Sequence, residues 1–153
     1  DDDHPPSSDL KQRTCLLIKP DGIEKKVAGK VLDRFEREGF DLLALKMFPP
    51  DRKRIEEFYS MHKGKPFYSS FIEFMLAGPF IGMVWEGKNA IRRSREIIGA
   101  TNSKEAAEGT LRNLYGTDNR RNLVHGSDSE ASAQREIHLL FAEHEIADTV
   151  AKV

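Results

Sequence analysis

One cysteine, no long apolar run and no excess of either charge characterise this 153-residue chain, and each scarcity closes off a class of protein. With Cys15 alone, an intrachain disulfide and a cysteine-rich metal site are both excluded, which suits a reducing, cytoplasmic setting. The thiol itself reads as a small core residue in a strand. Nothing approaches the roughly 18 apolar residues of a membrane span, and the opening DDDHPPSSDLKQ lacks the basic and apolar regions of a secretory signal. Membrane partners are therefore not expected. The 24 basic and 25 acidic residues leave a net charge of −1, too little positive excess to coat nucleic acid. Any anion site has to be local. GxxxxGK[ST] and GxGxxG are both absent, so neither a P-loop nor a dinucleotide-binding turn holds phosphate here. Five histidines occur without an HExxH or other close ligand pair, which argues against a protein-built zinc site. Mg²⁺ arriving on nucleotide phosphates, met by one carboxylate, stays compatible with this composition.

What is present is the material of one compact domain, long enough to bury roughly two thirds of its unfolded surface. Residues 1 to 11, acidic and rich in proline and serine, read as a flexible tail, leaving 12–153 as a single unit without repeats or linkers. Thr14 to Ile18 is a short apolar run ended by Lys19-Pro20-Asp21-Gly22, a buried strand entering a turn. Ala28, Val31, Leu32 and Phe35 form a helical stripe stopped at Gly39. Phe40 to Phe48 reads as a strand with Leu43, Leu45 and Met47 on one face. Asp51 caps a helix carrying Ile55, Phe58, Tyr59 and His62 on one side. A helix over Phe67 to Leu76, a strand over Phe80 to Trp85 and a helix over Asn89 to Ile98 follow, the last with Arg92 and Arg93 facing solvent. Gly99 to Arg121 is long, polar and irregular, as functional loops are. Four strands interleaved with helices predict an α+β, ferredoxin-like fold: a four-stranded antiparallel sheet covered by helices.

The segment Arg121 to Ser129, RNLVHGSDS, carries the most chemistry. His125 ends a short strand, Gly126 permits a sharp turn, and Ser127 with Glu130 has the spacing of a capping box for a helix reaching Phe141. Free N–H groups at such a helix start favour an anion, phosphate above all. Neutral imidazole is a competent nucleophile near pH 7 and can carry a phosphoryl group on nitrogen. The attacking nitrogen depends on what holds the other one, and Glu136, one helix face away, is a candidate orienter. A histidine at a turn is, taken alone, more often structural; its company decides.

That company resembles the nucleoside diphosphate kinases. LLIKPDG (Leu16 to Gly22), HKGKPF (His62 to Phe67), GPF with MVWEG (Gly78 to Gly87), R…GATN (Arg95 to Asn102), GTLR (Gly109 to Arg112) and RNLVHGSDS match in order from about Thr14 to Phe141. The resemblance implies ping-pong transfer of a γ-phosphoryl group from a nucleoside triphosphate, ATP or GTP among others, to a diphosphate through phospho-His125. By motif position, Lys19 would contact the ribose side and the transferring phosphate, Asn122 the ribose, and Phe67 the base by stacking. Arg95, Thr101 and Arg112 would hold the outer phosphates, joined by His62. Tyr59 would position Lys19 or the phosphoryl group, Glu136 would orient His125 with support from Ser127, and Asp128 would place Mg²⁺ through water. A homo-oligomer, tetramer or hexamer, is also implied. Singly, these residues have blander readings: Lys19 and Arg112 as solvated charges, Phe67 and Tyr59 as core, Thr101 and Asn102 as loop caps. Together, in family order, those readings lose.

Two rival functions come from other classes. An RNA-binding module on the same sheet would need an RNP-type aromatic run, which is absent. A non-catalytic homologue acting as an interaction protein would lack the histidine or the arginines, which this chain keeps. The chain departs from the common family pattern at Asn113-Leu114-Tyr115, where Gly-Asp-Phe often follows the arginine. It departs again at Asn119 and Arg120, where a small apolar residue and a glycine are common. Base contacts and loop conformation are the properties those changes touch. The chain also ends soon after the His125 helix, so contacts made by the C-terminal extension of some members are expected to be reduced.

Overall fold

A computed structural model describes residues 11–151, so the tail expected over residues 1 to 11 lies outside the described residues except for Lys11, which opens the first strand. Strand β1 (Lys11–Ile18) and strand β3 (Phe80–Lys88) form the middle of a four-stranded antiparallel sheet of order β2-β3-β1-β4, with β2 (Asp41–Phe48) and β4 (Val124–Gly126) at the edges. This is the ferredoxin-like arrangement expected from the alternation of elements.

The unbroken apolar run of β1 has a direct cause: both faces of the strand are covered. Cys15 and Leu17 pack into one core with Ile55, Ile72 and Ile137, while Leu16 and Ile18 pack into the other with Val31, Phe35 and Trp85. Helices α3 (Arg52–Phe58), α4 (Tyr68–Met75) and α7 (Glu130–Leu140) supply the first layer. Helices α2 (Ala28–Arg37) and α5 (Ala90–Ile98) supply the second. Alternation along a strand is lost when water touches neither face.

Five local expectations are corrected. In β2 the register shifts between Leu42 and Ala44, so Leu43 and Ala44 are both buried while Leu45 and Met47 point to solvent at 48% and 53% exposure. A bulge of this kind inserts one residue and flips the faces beyond it. Asp51 does cap α3, accepting from Arg54 N, but the helix stops at Phe58 and His62 sits in a separate 3₁₀ turn, Ser60–His62. The KPDG turn contains a short helix, α1 (Pro20–Glu24), with proline at its start where no N–H is needed, and the long polar loop contains α6 (Leu111–Tyr115). Arg93 does not face solvent freely: its guanidinium lies 4.5 Å from the Phe40 ring centre and donates to the carbonyls of Lys88 and Glu38.

Candidate active site

His125 occupies β4, paired with Leu17 of β1, and its backbone approach is unusual. The residue before that strand, Leu123, is fully buried with φ of 81°, and Val124 N donates to Asn122 O at 2.9 Å, closing a γ-turn around it. A left-handed leucine persists only where its surroundings over-determine it. Here Leu123 N donates to Asp21 Oδ2 at 2.9 Å and Leu123 O accepts from Lys19 N at 2.9 Å. The KPDG segment thus clamps the turn that delivers His125. Asp21→Ala strands a buried N–H and is expected to cost about 1–3 kcal/mol in denaturant unfolding, whereas Asp21→Asn, which keeps an acceptor, is expected to stay within about 1 kcal/mol. Equal losses in both would remove the clamp from the account.

Gly126 answers a different need from the one expected. Its φ is not in the left-handed region; a Cβ there would lie 2.7 Å from Ile98 Cδ1, so glycine lets α5 pack under the strand. Ser127 does not cap α7 either. Ser129 does, accepting from Ser132 N at 3.0 Å, because Ser127 is drawn inward and sewn to β1: Cys15 N donates to its Oγ at 3.1 Å and its own N–H donates to Cys15 O at 3.2 Å.

That inward position builds a relay. Ser127 Oγ donates to Glu136 Oε1 at 2.7 Å, and the same carboxylate oxygen accepts from His125 Nε2 at 3.0 Å. An ionised carboxylate only accepts, so Nε2 carries the proton and Nδ1 keeps its lone pair. Among the described residues nothing hydrogen-bonds Nδ1. Phe58 and Tyr59 hold the ring edge-on, at centroid distances of 5.1 and 5.7 Å.

The ring borders a cleft of about 590 Å³. Of the residues expected at a site, Lys19, Tyr59, His62, Phe67, Arg95, Thr101, Asn122, His125, Asp128 and Glu136 line it. Ser127 lies behind Glu136. Arg112 stands behind the wall, its guanidinium donating to the carbonyls of Asn122, Gly99 and Val124 at 3.1, 3.0 and 2.8 Å. Met61, Phe71, Asn119, Arg120 and Ser132 also line the cleft; of these only Asn119 and Arg120 were marked by the sequence, as departures from the family pattern that touch base contacts and loop conformation.

The electrostatics favour an anion. Lys19, only 3% exposed, donates to Asn122 Oδ1 and Arg120 O, both at 2.7 Å. Burial pulls its ammonium down to about 8, opposed by Asp21 and reinforced by Arg112 and Arg120. Burial, with Arg95 beside it, likewise brings Arg112 down to about 10. Both groups stay charged at pH 7, desolvated and short of anionic partners. Burial and then Glu136 push the Tyr59 phenol up, and its buried hydroxyl has no partner among the described residues, so it remains a free donor. Burial, Lys65 and His125 hold His62 below its ordinary value, so at pH 7 it presents a neutral ring rather than a cation. Ser132 and nearby cations keep the Asp128 carboxyl ionised at the rim.

A proton held on Nε2, an open Nδ1 and desolvated cations beside an aromatic rim form a phosphoryl-transfer site in outline. Comparison with known proteins decides the family: residues 12–146 match the model for nucleoside diphosphate kinase. The chain belongs to the nucleoside diphosphate kinase family. The nucleoside diphosphate kinase of Persephonella marina is 49% identical over 137 residues, covering 90% of this chain and 98% of that one. That of Saccharomyces cerevisiae is 44% identical over 141 residues, with 92% of each covered. The structure of a halophilic nucleoside diphosphate kinase from Halobacterium salinarum in complex with CDP superposes with a TM-score of 0.89 at 38% identity, covering 93% of this chain and 95% of that one. The fold common to the family is thus the ferredoxin-like sheet described above.

Proposed function

We propose that the cleft transfers the γ-phosphoryl group of a nucleoside triphosphate to a nucleoside diphosphate by way of His125. The observation that supports this best is the Ser127–Glu136–His125 relay, which protonates Nε2 and leaves Nδ1 open on the cleft. In the first half-reaction the Nδ1 lone pair attacks the γ-phosphorus. An N–P bond forms as the P–O bond to the β-phosphate breaks, and that bridging oxygen keeps the electron pair as the diphosphate leaves. The second half-reaction is the reverse with another diphosphate. Glu136 balances the positive charge that the ring gains, and Ser127 fixes the carboxylate.

The remaining residues bind and orient. Lys19 and Asn122, already bonded to each other, meet the ribose hydroxyls and the reacting phosphate. Arg95, Thr101 and the two N–H groups that Arg112 has not committed to carbonyls meet the outer phosphates, with His62 and Tyr59 as neutral donors. Phe67, 44% exposed at the rim, offers a face to any base. Among the described residues no group of three ligating side chains suits a metal; Mg²⁺ carried by the nucleotide would be held from the protein side by the ionised Asp128 carboxylate, through water. Bound there, Mg²⁺ neutralises charge on the phosphates.

The non-catalytic alternative gains no support, since every proposed chemical group is in place. No helix among the described residues is long and apolar enough to cross a membrane, and with a buried free thiol at Cys15 we place the enzyme in the cytoplasm. A tetramer or hexamer belongs to the same reading: the edge strand β2 leaves Leu45 and Met47 uncovered. Sedimentation distinguishes the two assemblies.

The test is to incubate the chain with γ-labelled ATP and Mg²⁺ and map the label. About one acid-labile, base-stable phosphoryl group per chain is expected, on Nδ1 of His125; label on Nε2 or on another residue overturns the mechanism. A pH series checks Lys19. Its folded value of about 8 lies below the roughly 10.4 of an unfolded lysine, so between those values the unfolded chain holds more protons and the unliganded fold gains stability as pH rises. Nucleotide affinity is expected to fall over the same interval, by up to about tenfold per pH unit, as the ammonium is lost. Lys19→Met should flatten both trends, as read by thermal melts and ADP titration from pH 7 to 9.5.

A further inference from the structure

The cleft has two ends, distinguished by their charged neighbours. At one, His125, Arg95 and Asp128 lie close enough that Ser132, Arg95 and His125 all hold the Asp128 carboxyl below its ordinary value. At the other, Phe67 stands at the start of α4. Arg120 belongs to this second end. It leaves the irregular segment before β4, and its Nη2 donates to Ser70 Oγ at 2.7 Å, while Ser70 Oγ donates to Phe67 O at 3.1 Å. The arm is therefore pinned within one helical turn of Phe67.

Its root is fixed as well. Arg120 O accepts from Lys19 Nζ at 2.7 Å, and Arg120 N donates to Asp118 Oδ1 at 3.0 Å. An arginine held at both ends has already lost much of the rotamer freedom that binding would otherwise remove. The guanidinium has five N–H groups in a rigid fork, and Ser70 engages the Nη2 end. The others remain to meet whatever stacks on Phe67.

We propose that Arg120 selects the base, its free N–H groups reading the O6 and N7 acceptors of a 6-oxopurine, so that guanine and hypoxanthine nucleotides are preferred to adenine and pyrimidine ones. The inference rests on the reading of this cleft as a nucleotide site. A guanidinium offers donors only. Guanine and hypoxanthine present two adjacent acceptors on that edge; adenine pairs N7 with an N6 amino donor, and cytosine presents an N4 amino donor, each of which opposes a second donor. Uracil has a single carbonyl there on a smaller ring. Asn119, beside Arg120 on the cleft wall, contributes an amide rather than an apolar surface. Arg120 would have no such selectivity if it served the phosphates, since every nucleotide has the same ones.

Calorimetric titration of the whole chain with GDP, IDP, ADP and CDP tests this in the native protein, in Arg120→Ala and in Ser70→Ala. GDP and IDP are expected to bind the native chain about three- to tenfold more tightly than ADP and CDP. Arg120→Ala should bring all four within about twofold of one another. Ser70→Ala, which keeps the charge and frees the arm, should narrow the gap part-way. Equal GDP and ADP affinity in the native chain, a preference that survives in Arg120→Ala, or an equal weakening of all four nucleotides in that variant overturns the proposal. Failure of the underlying reading shows differently: the native chain binds none of the four and takes no label on His125 from a triphosphate.

Discussion

His125→Ala is expected to lower kcat for phosphoryl exchange by at least about 10⁴-fold and to abolish the covalent label. The size follows from the type of catalysis. A ping-pong enzyme has no second route, because donor and acceptor occupy the same cleft in turn and never meet; without the nitrogen only slow transfer to water remains. The substitution should spare the fold. His125 lies at the cleft surface with its side chain 24% exposed, and its one described hydrogen bond is to Glu136. A coupled assay with ATP and a second diphosphate reads the rate, and unfolding in urea reads the stability. If exchange persists within tenfold of the native rate in a folded His125→Ala chain, direct transfer replaces the phosphohistidine.

Much of this site was legible before any coordinate because its residues sit in ungapped motifs whose order survives folding. LVHGS indicated a short strand bearing a histidine, and KPDG a lysine at a strand end. The failures share a cause: local pattern was outvoted by long-range contact. Ser127 has the spacing of a helix cap, yet Cys15, 112 positions earlier, captures both its Oγ and its N–H and turns it onto Glu136. Gly126 looked like a turn glycine, and the demand on it comes from Ile98 packing beneath the strand. The alternation Leu43, Leu45, Met47 predicted one face, and a bulge set by pairing with Val84 split it. Arg112 matched a phosphate-binding position, but its guanidinium also ties three carbonyls from the segments that frame the cleft, a scaffolding role no single segment announces.

The strained turn at Leu123 has no local signature in the sequence. No propensity rule assigns a left-handed backbone to leucine, for which that conformation costs of order 1 kcal/mol or more. It is set by Asp21 and Lys19, which are distant in sequence and adjacent in space. Strain of this kind locates the backbone of His125 before any substrate arrives, so that the proposed nucleophile is positioned at folding rather than at binding.

The second large effect belongs to Glu136, and glutamine is the informative replacement. Its side chain is only 2% exposed and its Oε1 takes two donors, the His125 Nε2–H at 3.0 Å and the Ser127 hydroxyl at 2.7 Å. Glutamine keeps the volume and an oxygen able to accept both bonds, so the ring stays oriented; what disappears is the negative charge beside an imidazole that turns cationic once Nδ1 bonds phosphorus. In so buried a setting that charge is worth a large share of the barrier, and Glu136→Gln is expected to slow phosphorylation of His125 by about 10²- to 10³-fold. ADP affinity should stay within about twofold, because Glu136 acts through His125 rather than on the nucleotide. Glu136→Ala separates orientation from charge: it leaves the Ser127 hydroxyl and the ring N–H short of an acceptor, and should lose about 1–3 kcal/mol of stability in addition to the rate. Single-turnover labelling at saturating ATP reads the chemical step and ADP titration reads binding. A glutamine variant that labels within threefold of the native rate would remove the charge from the account and leave Glu136 as an orienting residue only.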